Sequence, residues 1–370
     1  MAEAQDGAGK TPAFRQEERH EFRYRLSIGC ARVLSFLTWI VPLPLRLRFA
    51  DGVGLAFFYL SPTYRANVEA NVRQVLGEAD ADREAVRRLT RSIFRTSGRN
   101  FADLLTMPRW KASYFARHLS VATGSWSIID RAREQGNGVI LITCHVGCFD
   151  FVGQAIGRRG YPLTIVTGRT TSRFIFDGVT WLRSASGSRM VEPTPAGVRH
   201  TYRALKRNEV AVFVTDRDFF QNGRPVTFFG KRTTLPPGAV RIARDTGATV
   251  VPIVSERAGM RHRIHILDPF TVEKTRDIDA DIDRGIGQVA AALEAGIGAH
   301  LEQWAMFQRV WPERPAGPIQ VFPPGSPLES EILERVASVL PERKRSRKRR
   351  AATWPFARLR DLWRKLARMA

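Results

Sequence analysis

One heptapeptide gathers more reactive side chains than any other stretch of the sequence: Cys144-His145-Val146-Gly147-Cys148-Phe149-Asp150. It follows directly on the apolar run GVILIT (138–143), which reads as a buried strand, and it opens a segment of helical patterning from Phe149 to Arg159. His145 is therefore expected in the loop at the carboxyl end of a strand, and Asp150 in the first turn of the next helix. From there the carboxylate can fold back to one imidazole nitrogen and leave the other free as a general base. The spacing H-x4-[DE] occurs at one of the seven histidines. By itself it describes a structural histidine beside a helix-start aspartate equally well.

Two other chemistries compete for the same residues. Cys144, His145 and Cys148 offer three soft ligands, but zinc needs a fourth and no second cysteine pair exists. His262 and His265 fall on opposite sides of a strand, so no metal set is expected. A Cys148 nucleophile paired with His145 would require both side chains to meet within a single turn. No G-x-S-x-G elbow, G-x4-G-K-[ST] loop or G-x-G-x-x-G run occurs, so serine-hydrolase, P-loop and dinucleotide readings lack their fingerprints. The three cysteines (Cys30, Cys144, Cys148) are too few and odd for a disulfide framework, which points to a reducing compartment.

The elements that must position this loop read as an α/β alternation. Strands are expected at 138–143, 162–166 (PLTIV), 210–215 (VAVFVT), 249–254 (TVVPIV) and 263–267 (RIHIL). Helices are expected at 149–159, 173–184, 196–206, 238–246 and 286–299, and residues 62–119 read as mostly helical. This order argues a mostly parallel sheet flanked by helices, with ligands beyond the carboxyl ends of the strands. The chain then divides into a disordered start (1–20), a helical membrane-associating and packing region (21–119), an α/β catalytic region (120–315), a Pro/Gly-rich linker with a short helix (316–342) and a polybasic amphipathic tail (343–370).

The charge balance names the kind of partner. The 370 residues hold 58 Lys+Arg against 36 Asp+Glu, a net charge of +22, with 44% hydrophobic residues. A wholly disordered chain is excluded, and an anionic partner is implied. The segment Leu26–Leu45 is interrupted by Arg32 and ended by Pro42 and Pro44, too short an uninterrupted run for a spanning helix. With Val53–Leu60 it reads as helices lying in or dipping into one leaflet, as a buried hairpin, or as a marginal single N-terminal anchor. The tail reads RKRSRKRR, then sets Phe356, Leu359, Leu362, Trp363, Leu366 and Met369 on one helical face, a pattern suited to an anionic membrane surface. A nucleic-acid tail or a solvated one is the competing reading, and the nucleic-acid one is the weaker.

The ordered blocks LITCHVGCFDFVGQ, VTGRTTSRF, VAVFVTDRDF, VTFFGKRTTLPPGAVRIARDTGATVVPIV and EQWAMFQRVWP resemble the lipid A biosynthesis acyltransferase family, including its relatives that acylate phosphatidylinositol mannosides, within the lysophospholipid acyltransferase-like superfamily. The resemblance spans about Leu26 to Pro312. It implies that His145 and Asp150 form the catalytic pair, that Arg169 in TGRT matches the family's essential arginine, and that Asp216 in VTDRD matches its essential aspartate. Arg173, Arg189, Phe229, Lys231 and Arg232 are the accompanying substrate-binding candidates. Cys144, Cys148 and the polybasic tail depart from the family's pattern.

The function expected is O-acyl transfer from an acyl-carrier-protein or coenzyme A thioester to a hydroxyl of a glycolipid, a lipid A precursor first and a glycosylated phospholipid second, at the cytoplasmic face of the inner membrane. A thioester is already activated, so such an enzyme needs a base for the acceptor hydroxyl and stabilisation of the tetrahedral oxyanion, and no cofactor. The competing class is a non-catalytic, basic-tailed membrane or nucleic-acid binding protein on the same fold.

Overall fold

The computed structural model describes residues 12–312, apart from 78–80, 169–171 and 220. Contacts divide the chain into two units, Met1–Ile319 and Gln320–Ala370, and the described residues lie in the first. The expected linker (316–342) and basic tail (343–370) lie outside the described residues.

Four helices come first: α1 (Pro12–Ile40), α2 (Leu43–Leu60), α3 (Pro62–Leu76) and α4 (Arg83–Thr106). The short α5 (Ala112–His118) leads into the alternating part. That part runs β1 (Leu119–Thr123), α6 (Ser127–Glu134), β2 (Val139–Thr143), α7 (Phe149–Arg158), β3 (Leu163–Val166), α8 (Arg173–Arg183), β4 (Arg189–Val191), α9 (Pro195–Lys206) and β5 (Val210–Val214). A hairpin, β6 (Arg224–Phe228) and β7 (Lys231–Leu235), then precedes α10 (Gly238–Thr246), β8 (Thr249–Ala258), β9 (Arg261–Ile266) and α11 (Ile278–Ala299).

Seven strands form one sheet in the order β1-β9-β8-β2-β5-β3-β4. Every neighbouring pair is parallel except β8 and β9. This is the mixed, mostly parallel sheet expected from the sequence. β2 lies at its centre with all five residues buried, because helices cover both faces and leave no solvent side to alternate with. Ile140 and Ile142 pack into the layer of Val240, Ile286 and Leu293 from α10 and α11. Val139 and Leu141 point the other way, into Ile129 of α6 and Phe151 and Ile156 of α7.

α1 begins at Pro12, inside the tract expected to be disordered. The break at Pro42 separates α1 from α2, and the two helices meet at a bend of 120°. Among the described residues no single helix is long and apolar enough to cross a membrane; only this bent pair passes by length and composition. α2 is fixed against α4 by reciprocal glycines. A Cβ on Gly54 would lie 2.3 Å from the Phe94 carbonyl oxygen, and one on Gly98 would lie 2.2 Å from that of Ala50. Asp51 adds a two-point ion pair to Arg99 at 2.6 Å and a contact to Arg95 at 3.1 Å across the same crossing.

Candidate active site

Parallel register builds the site. Thr143 stands opposite Val214 at the carboxyl ends of β2 and β5, and the Thr215 amide still donates to the Thr143 carbonyl at 3.0 Å. Two residues beyond Thr143 and Val214 lie His145 and Asp216. His145 Nδ1 meets Asp216 Oδ1 at 2.8 Å, and the His145 backbone amide donates to Oδ2 at 2.8 Å. The Trp304 indole Nε1 donates to the same Oδ2 at 2.9 Å.

Asp216 is completely buried. Burial pushes its carboxyl group up. The charge of His145 and the hydrogen bonds from His145 and Trp304 outweigh that effect and hold it below the usual carboxylate range. Asp216 is therefore an ionised, hydrogen-bonded acceptor that fixes the imidazole's orientation and selects the proton on Nδ1. The ring edge bearing Nε2 makes no hydrogen bond among the described residues, and 23% of the His145 side chain is open to solvent. Phe149 packs edge-on against the ring at 4.8 Å between centroids.

Asp150 takes a different partner from the one its spacing suggests. Its carboxylate pairs with Arg183 of α8 at two points, Oδ1–Nε at 2.7 Å and Oδ2–Nη2 at 3.2 Å. The fold-back of Asp150 onto the imidazole is replaced by Asp216. The helix start points the Asp150 side chain across to α8, whereas the parallel neighbour β5 delivers its aspartate level with the ring. The Arg183 guanidinium also lies over the Phe149 ring at 5.9 Å, so Phe149 touches both charged pairs.

The loop between His145 and Phe149 is clamped from behind by the segment after α11. The Ala305 amide donates to the His145 carbonyl at 2.8 Å and the Gly147 amide to the Gln303 carbonyl at 3.2 Å, with Val146 bridged to Trp304. Gly147 has φ +55, and a Cβ there would lie 2.2 Å from the Ser255 carbonyl oxygen, so only glycine fits. Asn100 of α4 donates to the Gly147 carbonyl.

The other candidate residues are distributed as follows. Arg169 lies outside the described residues. Arg173 starts α8 and pairs with Asp177 at 2.9 Å. Arg189 is exposed on the edge strand β4. Phe229 occupies the turn of the β6–β7 hairpin at φ +46, its amide bonded to the Glu294 carboxylate and its carbonyl to Gln74 Nε2 at 2.9 Å. Lys231 and Arg232 follow it, exposed, on β7. No hydrogen bond or ion pair among the described residues joins these five to His145 or Asp216. Cys144 and Cys148 are fully buried, and burial pushes both thiols up, which keeps them protonated and poor nucleophiles.

Two residues at the site escaped the reading of the sequence. Trp304 lies within the EQWAMFQ block, whose resemblance marks the segment without naming the tryptophan's partner. Arg183 has no local signal, since its role depends on where α8 passes α7.

A family model described as bacterial lipid A biosynthesis acyltransferase matches residues 11–313. The phosphatidylinositol mannoside acyltransferase of Mycobacterium tuberculosis (strain CDC 1551 / Oshkosh) is 25% identical over 225 residues, covering 58% of this chain and 67% of that protein. The phosphatidylinositol mannoside acyltransferase of Mycolicibacterium smegmatis is 25% identical over 250 residues, covering 65% and 77% respectively.

Proposed function

Because the chain belongs to the bacterial lipid A biosynthesis acyltransferase family and is an acyltransferase, we propose that it transfers a fatty acyl group from an acyl-carrier-protein or coenzyme A thioester to a hydroxyl of a glycosylated phospholipid, with His145 as general base. The observation that carries this reading is His145 held through Nδ1 by Asp216 while Nε2, at the carboxyl end of the parallel sheet, has no hydrogen-bond partner among the described residues. Nε2 takes the proton of the acceptor hydroxyl as its oxygen attacks the thioester carbonyl. Asp216 orients the ring and stabilises the imidazolium that forms. Collapse of the tetrahedral intermediate expels the thiolate, which receives the proton from His145. The arginine at 169 is assigned to a phosphate of donor or acceptor.

The names of the relatives favour a phosphatidylinositol mannoside-like acceptor over a lipid A precursor. The membrane is reached through α1 and α2. Leu34, Trp39, Ile40, Leu45, Phe49 and Leu60 are each about half exposed or more, a larger apolar surface than a water-facing helix pair carries. A 120° bend with this facing suits insertion into one leaflet. The segment 343–370 supplies a second, electrostatic attachment at the cytoplasmic face of the inner membrane.

The test is transfer of labelled acyl groups from both thioester donors to phosphatidylinositol mannosides and to lipid A precursors, comparing wild type with His145→Ala. Label in a glycolipid only with His145 present supports the assignment. Equal labelling by both proteins removes His145 as the base, and product mass identifies the acceptor.

A further inference from the structure

Among the described residues, two groups of metal-ligating side chains lie outside the His145–Asp216 dyad. In the first, Asp103, Cys148 and His262 are buried with their ligand atoms close together. There the Asp103 carboxylate already contacts the Arg257 guanidinium, and a cation would face that buried positive charge. The second group consists of Glu256 on β8, His265 on β9 and His300, the residue that ends α11. Its three ligand atoms lie within 4.8 Å of one another, and all three residues are half-buried and reachable from solvent.

We propose that Glu256, His265 and His300 form a divalent-cation site, with zinc the best-suited ion, that fastens the end of α11 to β8 and β9. Glu256 Oε2 and His265 Nε2 are 3.2 Å apart. Two ligand atoms about 2.0–2.1 Å from a tetrahedral zinc are roughly 3.4 Å apart, so this pair already has the required spacing. The Thr123 hydroxyl lies 3.1 Å from His265 Nδ1, an outer partner that steadies the ring with Nε2 towards Glu256. His300 faces His265 with ring centroids 4.9 Å apart. Arg263 Nη1 lies 3.5 Å from the other Glu256 oxygen, Oε1, so Oε2 faces His265. Two neutral imidazoles, one carboxylate and a water complete a four-coordinate set.

The site's placement gives it a structural role. The Leu301–Gln303 turn follows His300 directly, and Gln303 locks onto both backbone groups of Arg257 (2.8 and 3.2 Å). Trp304 comes next, with its bond to Asp216. A metal at His300 therefore holds the base of the segment that backs the His145 loop.

The test uses untagged full-length protein stripped by chelation and titrated with Co2+, then Zn2+ in competition. The expected result is one equivalent of Co2+ with the visible bands of a four-coordinate ion. His300→Ala and Glu256→Gln should each weaken binding at least about tenfold, and Thr123→Val about tenfold, with far-UV circular dichroism unchanged. No stoichiometric uptake by wild type overturns the proposal. Equal affinity in wild type and Glu256→Gln, the variant that keeps the side chain's shape, overturns it as well. The measurement requires no acyl transfer, so its outcome is independent of the acyl donor or acceptor.

Discussion

Trp304 and His145 share one oxygen of Asp216: the indole N–H and the His145 backbone amide both donate to Oδ2, leaving Oδ1 for the imidazole. The aspartate is thereby fixed at three points before any substrate arrives. Trp304→Phe keeps an aromatic side chain of smaller size and removes one donor to a buried charge, a loss of about 1.5–3 kcal/mol. The expected outcome is a kcat about tenfold lower with KM little changed. Asp216→Asn, which reverses the preference for the Nδ1 proton, is expected to lower kcat on the order of a thousandfold. Steady-state kinetics of both variants check this; Asp216→Asn with wild-type kcat would remove Asp216 from the mechanism.

Asp150 and Arg183 form a two-point pair of low exposure, so removing either leaves an uncompensated charge. Asp150→Asn and Arg183→Leu should each lower the melting temperature, and the double variant should be no worse than the weaker single. A thermal double-mutant cycle should return a coupling of about 1–3 kcal/mol. Additive effects would show that the pair is not a unit.

The α2–α4 crossing has no room for a methyl group. Gly98→Ala forces a Cβ onto the Ala50 carbonyl and is expected to cost about 1–3 kcal/mol. Gly52→Ala, on the partner helix α2 but with nothing within 4 Å, is expected to be neutral or to stabilise by up to about 1 kcal/mol. Denaturant midpoints of the two proteins measure the contrast.

Acid stability should depend on Asp281. Burial raises its carboxyl group, but hydrogen bonds from Thr275 and Arg244 outweigh this and draw it from 3.8 to about 2. Because the folded value lies below the unfolded one, the stabilisation is fully present above about pH 4 and disappears as pH falls towards 2. Asp281→Asn should thus lie below wild type in stability at neutral pH and converge on it between pH 4 and 2. Urea midpoints across that range check the convergence; a constant gap would refute it.

Much of the sheet was legible because a parallel strand covered on both faces must be an apolar run, as in VILIT, VAVFV and TVVPIV. β1 (LSVAT) and β4 (RMV) escaped for the converse reason. They are edge strands with exposed residues and no run to detect. The FFGKR segment, which holds the candidates Phe229, Lys231 and Arg232, forms a hairpin turn with two positive φ residues, Phe229 and Gly230, and Phe229 is anchored by Glu294 and Gln74. In the site, His145 and Asp216 were both named, but not as partners. Their meeting depends on the register of β2 against β5, a fact no local spacing contains. Asp150 satisfied the local spacing and was drawn away by a helix that the spacing does not see.

The clamp on residues 145–147 also sets an order on synthesis. Its backbone partners, Gln303 to Ala305, follow every strand of the sheet in the chain. A nascent chain that has completed β2 and β5 already holds the histidine and its aspartate, yet lacks the amide, the carbonyl and the indole that brace them. A protein cut short before Trp304 would therefore have the sheet without the braced base.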